Sequence, residues 1–253
     1  MLNWSAIGRS TTWGRLLRLP IRFIPNNLWL SVLQGPMKGM KWISGSGNAG
    51  CWLGSYELSN QRALQRVIKP GNTVFDIGAH VGFYTLLFSA LVGGNGRVFA
   101  FEPFYENISN LLRHIQKNNC RRNVTVCQTA VSDKRKLSRF TDGLSSYTGT
   151  ILETIQSNPI LSYYVPAVSL DELVEMEEFP IPDVIKMDVE GAESDVLWGS
   201  RSLMEKNGPA WFISLHGDKQ KQKCRHILER FSYDLFSLDG EKIQLGETLR
   251  NWK

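Results

Sequence analysis

The chain has 253 residues, 42% hydrophobic and 21% charged, a composition that can bury one continuous core and excludes extended disorder. No run reaches the 18 or so apolar residues of a bilayer-spanning helix, so an integral helical membrane protein is excluded as well. The net charge of +5 is uneven: residues 1–56 hold six basic residues (Arg9, Arg15, Arg18, Arg22, Lys38, Lys41) and no acid, against 23 basic and 24 acidic residues in the remainder.

Taken in chain order, residues 1–56 read as a basic, tryptophan-rich accessory segment, and residues 57–253 as the main domain. Five of the eight tryptophans (Trp4, Trp13, Trp29, Trp42, Trp52) fall in the first part. Tryptophan beside arginine suits peripheral contact with an anionic membrane or a sugar-stacking surface, and equally an accessory lobe packed on the main domain. Arg15, Arg18 and Arg22 interrupt every apolar stretch that could serve as a signal-peptide core, so a cytoplasmic protein is expected, with the membrane surface as a further option. Cys51, Cys120, Cys127 and Cys224 are widely spaced and form no Cys-x-x-Cys pair, which predicts reduced thiols. Six charges over 56 residues make no dense basic patch, so nucleic acid is not an expected partner.

From Gly71 onward, short β-rich runs alternate with helix-period segments, which predicts βαβ units and a parallel sheet. The Pro70-Gly71 turn leads into a strand over 73–77, and a helix from about Val81 ends at Gly93 to Gly96. A second strand over 98–101 precedes a helix from about Tyr105 to Asn118, with Ile108, Leu111, Leu112 and Ile115 on one face. A third strand covers 124–129. Residues 137–167, with a Ser-, Thr- and Gly-rich stretch over 143–149, read either as a loop closing over substrate or as a surface excursion. Ser169-Leu170-Asp171-Glu172 has the form of a capping box. Strands over 184–187 and 211–215 follow, and 233–245 around Asp239-Gly240 reads as a hairpin. The expected fold is a seven-stranded, mostly parallel α/β sheet with helices on both faces.

The run Val74-Phe75-Asp76-Ile77-Gly78-Ala79-His80-Val81-Gly82 places a strand, an acid, two glycines and a helix start in succession, the layout of a small-ligand cradle. A dinucleotide fingerprint would have glycine where Asp76 stands, and a carboxylate there would repel a diphosphate. S-adenosylmethionine has no phosphate and carries an ammonium group, so it is the expected cofactor. Glu102, 20 residues beyond Gly82 at the end of the second strand, is placed to accept from both ribose hydroxyls. Ala130 to Asp133 should flank the adenine, with Val131 on its face and a backbone group or Asp133 at its amino group. The predicted cofactor residues are Asp76, Gly78, Ala79, Gly82, Glu102, Val131 and Asp133.

These motifs resemble those of the FkbM methyltransferases. The likeness is carried by Phe75 to Gly82, Phe101-Glu102-Pro103, Ser169-Leu170-Asp171 and Ile185-Lys186-Met187-Asp188-Val189-Glu190-Gly191-Ala192-Glu193, and it spans about residues 52–217. His80 departs from the asparagine that is frequent there. The resemblance implies a Rossmann-like class I methyltransferase fold and O-methylation of a hydroxyl on a sugar, glycolipid or secondary metabolite, with S-adenosylmethionine as donor.

Ligands of open α/β sheets bind beyond the carboxyl ends of the strands, which aims Asp188 and His216 at one crevice. With strands about 4.8 Å apart, the two side chains can meet over one acceptor hydroxyl, His216 as general base and Asp188 orienting it or taking the proton itself. Glu190 and Glu193 are expected to flank the next helix N-terminus. No metal is assigned, although a divalent cation on Asp188, Glu190 or Glu193 with His216 is compatible with the ligand types. An N-methyltransferase acting on bases would need an apolar-aromatic clamp after the fourth strand, where this chain has Asp188-Val189-Glu190-Gly191.

Overall fold

The computed structural model describes residues 21, 23–142, 149–151, 162–176, 179–206 and 208–243. Within residues 23–56 the chain forms an antiparallel pair, β1 (Trp29–Ser31) and β2 (Lys41–Ile43), and the short helix α1 (Gly50–Leu53). Then come α2 (Leu58–Val67), β3 (Thr73–Ile77), α3 (Phe83–Val92), β4 (Arg97–Phe101), α4 (Tyr105–Lys117) and β5 (Val124–Cys127). Four strands follow: β6 (Ala130–Val131), β7 (Lys136–Asp142), β8 (Gly149–Ile151) and β9 (Ser162–Val168). The chain continues through α5 (Leu170–Glu175), β10 (Val184–Met187), α6 (Glu193–Trp198), α7 (Arg201–Lys206), β11 (Ala210–Ile213) and α8 (Asp218–Arg230).

The central sheet is parallel throughout, in the order β11-β10-β3-β4-β5. Its strands are apolar on both sides because each side is covered by helices. Val74, Val98, Ala100 and Val184 pack with Leu86, Leu87 and Phe88 of α3 and Leu111 of α4. The alternate residues Phe75, Ile77, Phe101, Ile185 and Met187 pack with Val196, Leu203 and Leu228 on the opposite face. The chain order reverses between β3 and β10, and this break in the winding opens a crevice at their carboxyl ends.

Among the described residues the main sheet has five strands, and the expectation of seven is corrected. The segment expected as a terminal hairpin has, among the described residues, an isolated bridge, Phe236 to Lys242, with bonds from Ser237 N to Glu241 O (2.8 Å) and from Ile243 N to Leu235 O (2.8 Å), and its described part, up to residue 243, adds no strand to the sheet. The third strand ends at Cys127, and β6 leaves it to pair with β9 in a separate sheet of order β6-β9-β7-β8. Much of 137–167 is therefore β structure; 143–148 and 152–161 lie outside the described residues. The capping box at Ser169 and Glu172 opens α5 with both of its bonds present.

Trp42 of β2 is fully buried, stacked on His114 of α4 at 4.1 Å, with Phe83 edge-on to it. Trp29 is partly exposed, with Arg113 and Lys117 over its ring. Trp4, Trp13, Arg9, Arg15, Arg18 and Arg22 lie outside the described residues. All four cysteines are free. Among the described residues no helix is long and apolar enough to cross a membrane.

Candidate active site

Four strand ends converge at the crevice. After β3 the chain turns through Gly78, whose N–H and that of Ala79 both donate to Phe101 O at 3.0 Å, tying the loop to the end of β4. Gly78 has φ 75, and a Cβ there would collide with the carbonyl oxygen of Asp188, so only glycine lets the β3 and β10 exits approach this closely. His80 also takes a left-handed conformation, φ 52, which histidine shares with asparagine. Burial, and then the charge of Lys186, lower its pKa to about 4, so the ring is neutral. Gly82 is used differently from the expectation. Its missing side chain admits Leu111 of α4 against the start of α3, and it does not line the crevice.

Glu102 is 5% exposed at the end of β4. Its Oε2 accepts from His80 N at 2.7 Å, and its Oε1 from Phe104 N at 2.9 Å and Asn107 Nδ2 at 3.3 Å. Burial raises its pKa, and these donors oppose the rise. With Gly78, Ala79, Val131, Phe140 and Asp188, it lines a cavity of about 510 Å³.

Two predicted cofactor residues are placed elsewhere. Asp76 was set against the cofactor's ammonium, yet it has no exposed surface and does not line the cavity. It points to the α3 side of the sheet, like Val74 two residues earlier, where Thr85 Oγ1 donates to it at 2.6 Å and Lys186 Nζ lies 3.6 Å away. Asp133 also stays out of the cavity, paired with Lys136 at 2.7 Å.

The β10 and β11 exits bring Asp188 and His216 together, with His216 Nε2 3.5 Å from Asp188 Oδ1 and 3.5 Å from Glu190 Oε2. The other ring nitrogen, Nδ1, donates to Glu193 Oε1 at 2.7 Å. Glu193 opens α6 and is fully buried, and its Oε1 also accepts from Gly191 N. This bond, with Glu190 and Asp188 nearby, raises the pKa of His216 against an opposing effect of burial. Ligand atoms of Asp188, Glu190 and His216 all lie within 4.8 Å of one another, a spacing that could hold a cation.

Sequence reasoning missed Lys186. It is buried in the middle of β10, beside Asp76 of β3 in the parallel register, and its Nζ lies 3.6 Å from Asp76, 3.7 Å from Asp188 and 5.0 Å from the centre of the Tyr84 ring. The signal was present, since a lysine in Val-Ile-Lys-Met and an aspartate in Val-Phe-Asp-Ile are out of place in buried strands unless they neutralise each other. Tyr56, Glu57 and Tyr84 were missed as well. They line a second crevice of about 350 Å³ together with His216, Asp188 and Glu190.

Compared with known proteins, residues 76–237 match the family model described as the methyltransferase FkbM domain. A 155-residue stretch is 30% identical to the hexuronic acid methyltransferase AglP of Haloferax volcanii, covering 57% of this chain and 56% of that protein. The chain thus spans little more than half the length of that relative. Among solved structures, the FkbM methyltransferase of Methylobacillus flagellatus superposes with TM-score 0.46 at 18% identity, covering 72% of this chain and 49% of that one. The S-adenosylmethionine-dependent O-methyltransferase of Thermotoga maritima gives TM-score 0.43 at 16% identity, over 69% and 49% of the two chains.

Proposed function

Because this chain belongs to the FkbM methyltransferase family, we propose that it methylates a hydroxyl of a sugar, glycolipid or secondary metabolite with S-adenosylmethionine, and that Asp188 and His216 act on the acceptor. The observation that carries the reading is the continuity of two sites. The cavity beside Gly78 and Glu102 and the crevice holding His216 share Tyr56, Tyr84, Lys186, Asp188 and Glu190 as a common wall. The 30% identity to a methyltransferase named for a sugar acid supports a sugar as acceptor.

The residues fit the cofactor. A volume of about 510 Å³ is in the usual range for a small-molecule site. Glu102 Oε2 has one bond from His80 N and keeps acceptor capacity for a ribose hydroxyl. Ala130, Val131 and Phe140 give an apolar wall suited to adenine. When bound, S-adenosylmethionine would supply an electrophilic methyl for the acceptor oxygen, with the sulfur, keeping the electron pair of the carbon–sulfur bond, as leaving group. The acceptor's proton goes to His216 Nε2, which is free to receive it because Nδ1 carries the other proton and holds it against Glu193. Glu193 thereby fixes tautomer and ring orientation, and Asp188, 3.5 Å from Nε2, stabilises the imidazolium that forms. Holding the acceptor oxygen in line with the methyl provides the larger part of the rate.

The test is transfer of labelled methyl to a panel of glycosides, glycolipids and hydroxylated metabolites. Asp188→Asn and His216→Ala should each lower turnover by about 10² to 10⁴, the usual contribution of general acid-base catalysis, with cofactor affinity nearly unchanged. Wild-type turnover by the His216 variant would remove it as the base. Loss of activity with chelator, regained with magnesium or manganese, would instead give Asp188, Glu190 and His216 to a cation.

A further inference from the structure

We propose that the second crevice is the acceptor subsite and that its charge selects an uncharged or amino-bearing sugar over a uronate, an inference that rests on the methyl-transfer reading above. The crevice adjoins the cofactor cavity through the five residues common to both, and Glu57, Asn60, Ser214 and His216 extend it outward. Carboxylates, amide and hydroxyl groups beside the rings of Tyr56, Tyr84 and Phe212 suit a polyhydroxylated ring with one apolar face.

The balance of charge narrows the class. Glu57, Asp188 and Glu190 line the crevice against one lysine, Lys186, and the tally stays anionic even when His216 carries a proton. Lys186 is also committed elsewhere, since its Nζ sits between Asp76 and Asp188 at 3.6 and 3.7 Å and donates to Gly78 O at 3.3 Å. Among the described residues that line the two cavities there is no other lysine and no arginine. Two further acids stand directly behind the wall, Asp76 against Lys186 and Glu193 against His216. Hydroxyl and ammonium donors find acceptors here, whereas a substrate carboxylate would face an excess of carboxylates among the described lining residues, where the lysine is already held by Asp76 and Asp188. The acceptor thus differs in charge from the sugar acid for which the relative is named.

Methyl glucoside, its 6-amino-6-deoxy derivative and methyl glucuronide differ only at one carbon, which carries a hydroxyl, an ammonium or a carboxylate. The three, and the matching manno and galacto sets, are titrated by ligand-observed NMR against the full chain loaded with S-adenosylhomocysteine. The neutral and amino sugars should bind at least about fivefold tighter than the uronate. The gap should narrow at high salt, because these charges are partly exposed, and Glu190→Gln should improve uronate binding relative to the neutral sugar. Equal or tighter binding of the uronate would overturn the charge selection and leave the sugar reading standing. Absence of binding by every sugar would overturn the acceptor subsite itself. Binding with the expected order but no methyl transfer would keep the subsite and refute the proposed reaction.

Discussion

A histidine surrounded by carboxylates has its proton affinity set mainly by the one it bonds directly. For His216 that partner is Glu193 on α6, while Asp188 and Glu190 face Nε2 from the loop after β10, and Lys186 of β10 lies 3.7 Å from Asp188. The net effect raises its pKa above 6.5. A base works only when deprotonated, so kcat should climb with pH through this raised value and level off above it. Glu193→Gln keeps an oxygen acceptor but removes its charge. The rising limb should therefore move to lower pH, and the plateau should fall as the ring becomes a weaker base. A purely structural role for Glu193 would lower activity by one factor at every pH, and a kcat–pH profile of the two proteins separates these outcomes. The convergence of Asp188 and His216 was legible in the sequence because strand-end positions in a parallel sheet share one edge. The contact of Glu193 with the ring was not, since the helix dipole accounts for an acid at that position and only the fold brings it to His216.

His114 ties the accessory strands to α4. Its Nδ1 donates to Val81 O at 2.8 Å and its Nε2 accepts from Ile43 N at 3.0 Å, a pattern that only the neutral ring can make, with Trp42 stacked over it. Burial lowers its pKa to about 4 from 6.5. As pH falls, the unfolded chain therefore takes up this proton before the folded one does. The stability it contributes is complete above about pH 6.5 and is lost progressively toward pH 4, and His80 titrates over the same window. Replacing His114 with Phe fills the space under Trp42 but leaves Val81 O and Ile43 N without their partner. Denaturant unfolding should then show a loss of about 1–3 kcal/mol at pH 7 and a shallower decline below pH 6.5; unchanged stability at pH 7 would mean that the accessory strands are not anchored there. At this scale β3, α3, β4, α4, β5, β10 and β11 were readable because their apolar periods are clear. The second sheet was hidden for physical reasons. Pro166 sits inside β9, where proline usually ends a strand, and β7 exposes Leu137 while burying Ser138 and Phe140, so hydrophobicity does not follow its alternation.

Across the whole chain the charges separate. The basic excess belongs to residues 1–56, whereas the cavity proposed for the cofactor is lined, among the described residues, by Glu102, Asp188 and Glu190 with Lys186 in opposition. That contrast, rather than Asp76, now carries the choice of cofactor, because Asp76 is buried against Lys186 and Thr85 and does not line the cavity. S-adenosylmethionine bears a sulfonium and an ammonium against one carboxylate and is a net cation, while a dinucleotide would bring two phosphate charges into an anionic cavity. The loop after β3 also lacks the glycine spacing that lets a helix N-terminus receive a diphosphate. Calorimetry on the full chain should therefore detect S-adenosylmethionine binding and no comparable binding of NAD. Glu102→Ala should weaken the first by about 1–3 kcal/mol through loss of a charged acceptor. Because Glu102 also receives His80 N, Phe104 N and Asn107 Nδ2, a thermal melt of the variant must accompany the titration. Native-like unfolding with weakened binding assigns the acid to the ligand, unchanged affinity removes it from the site, and NAD binding as tight as that of S-adenosylmethionine would refute the electrostatic argument.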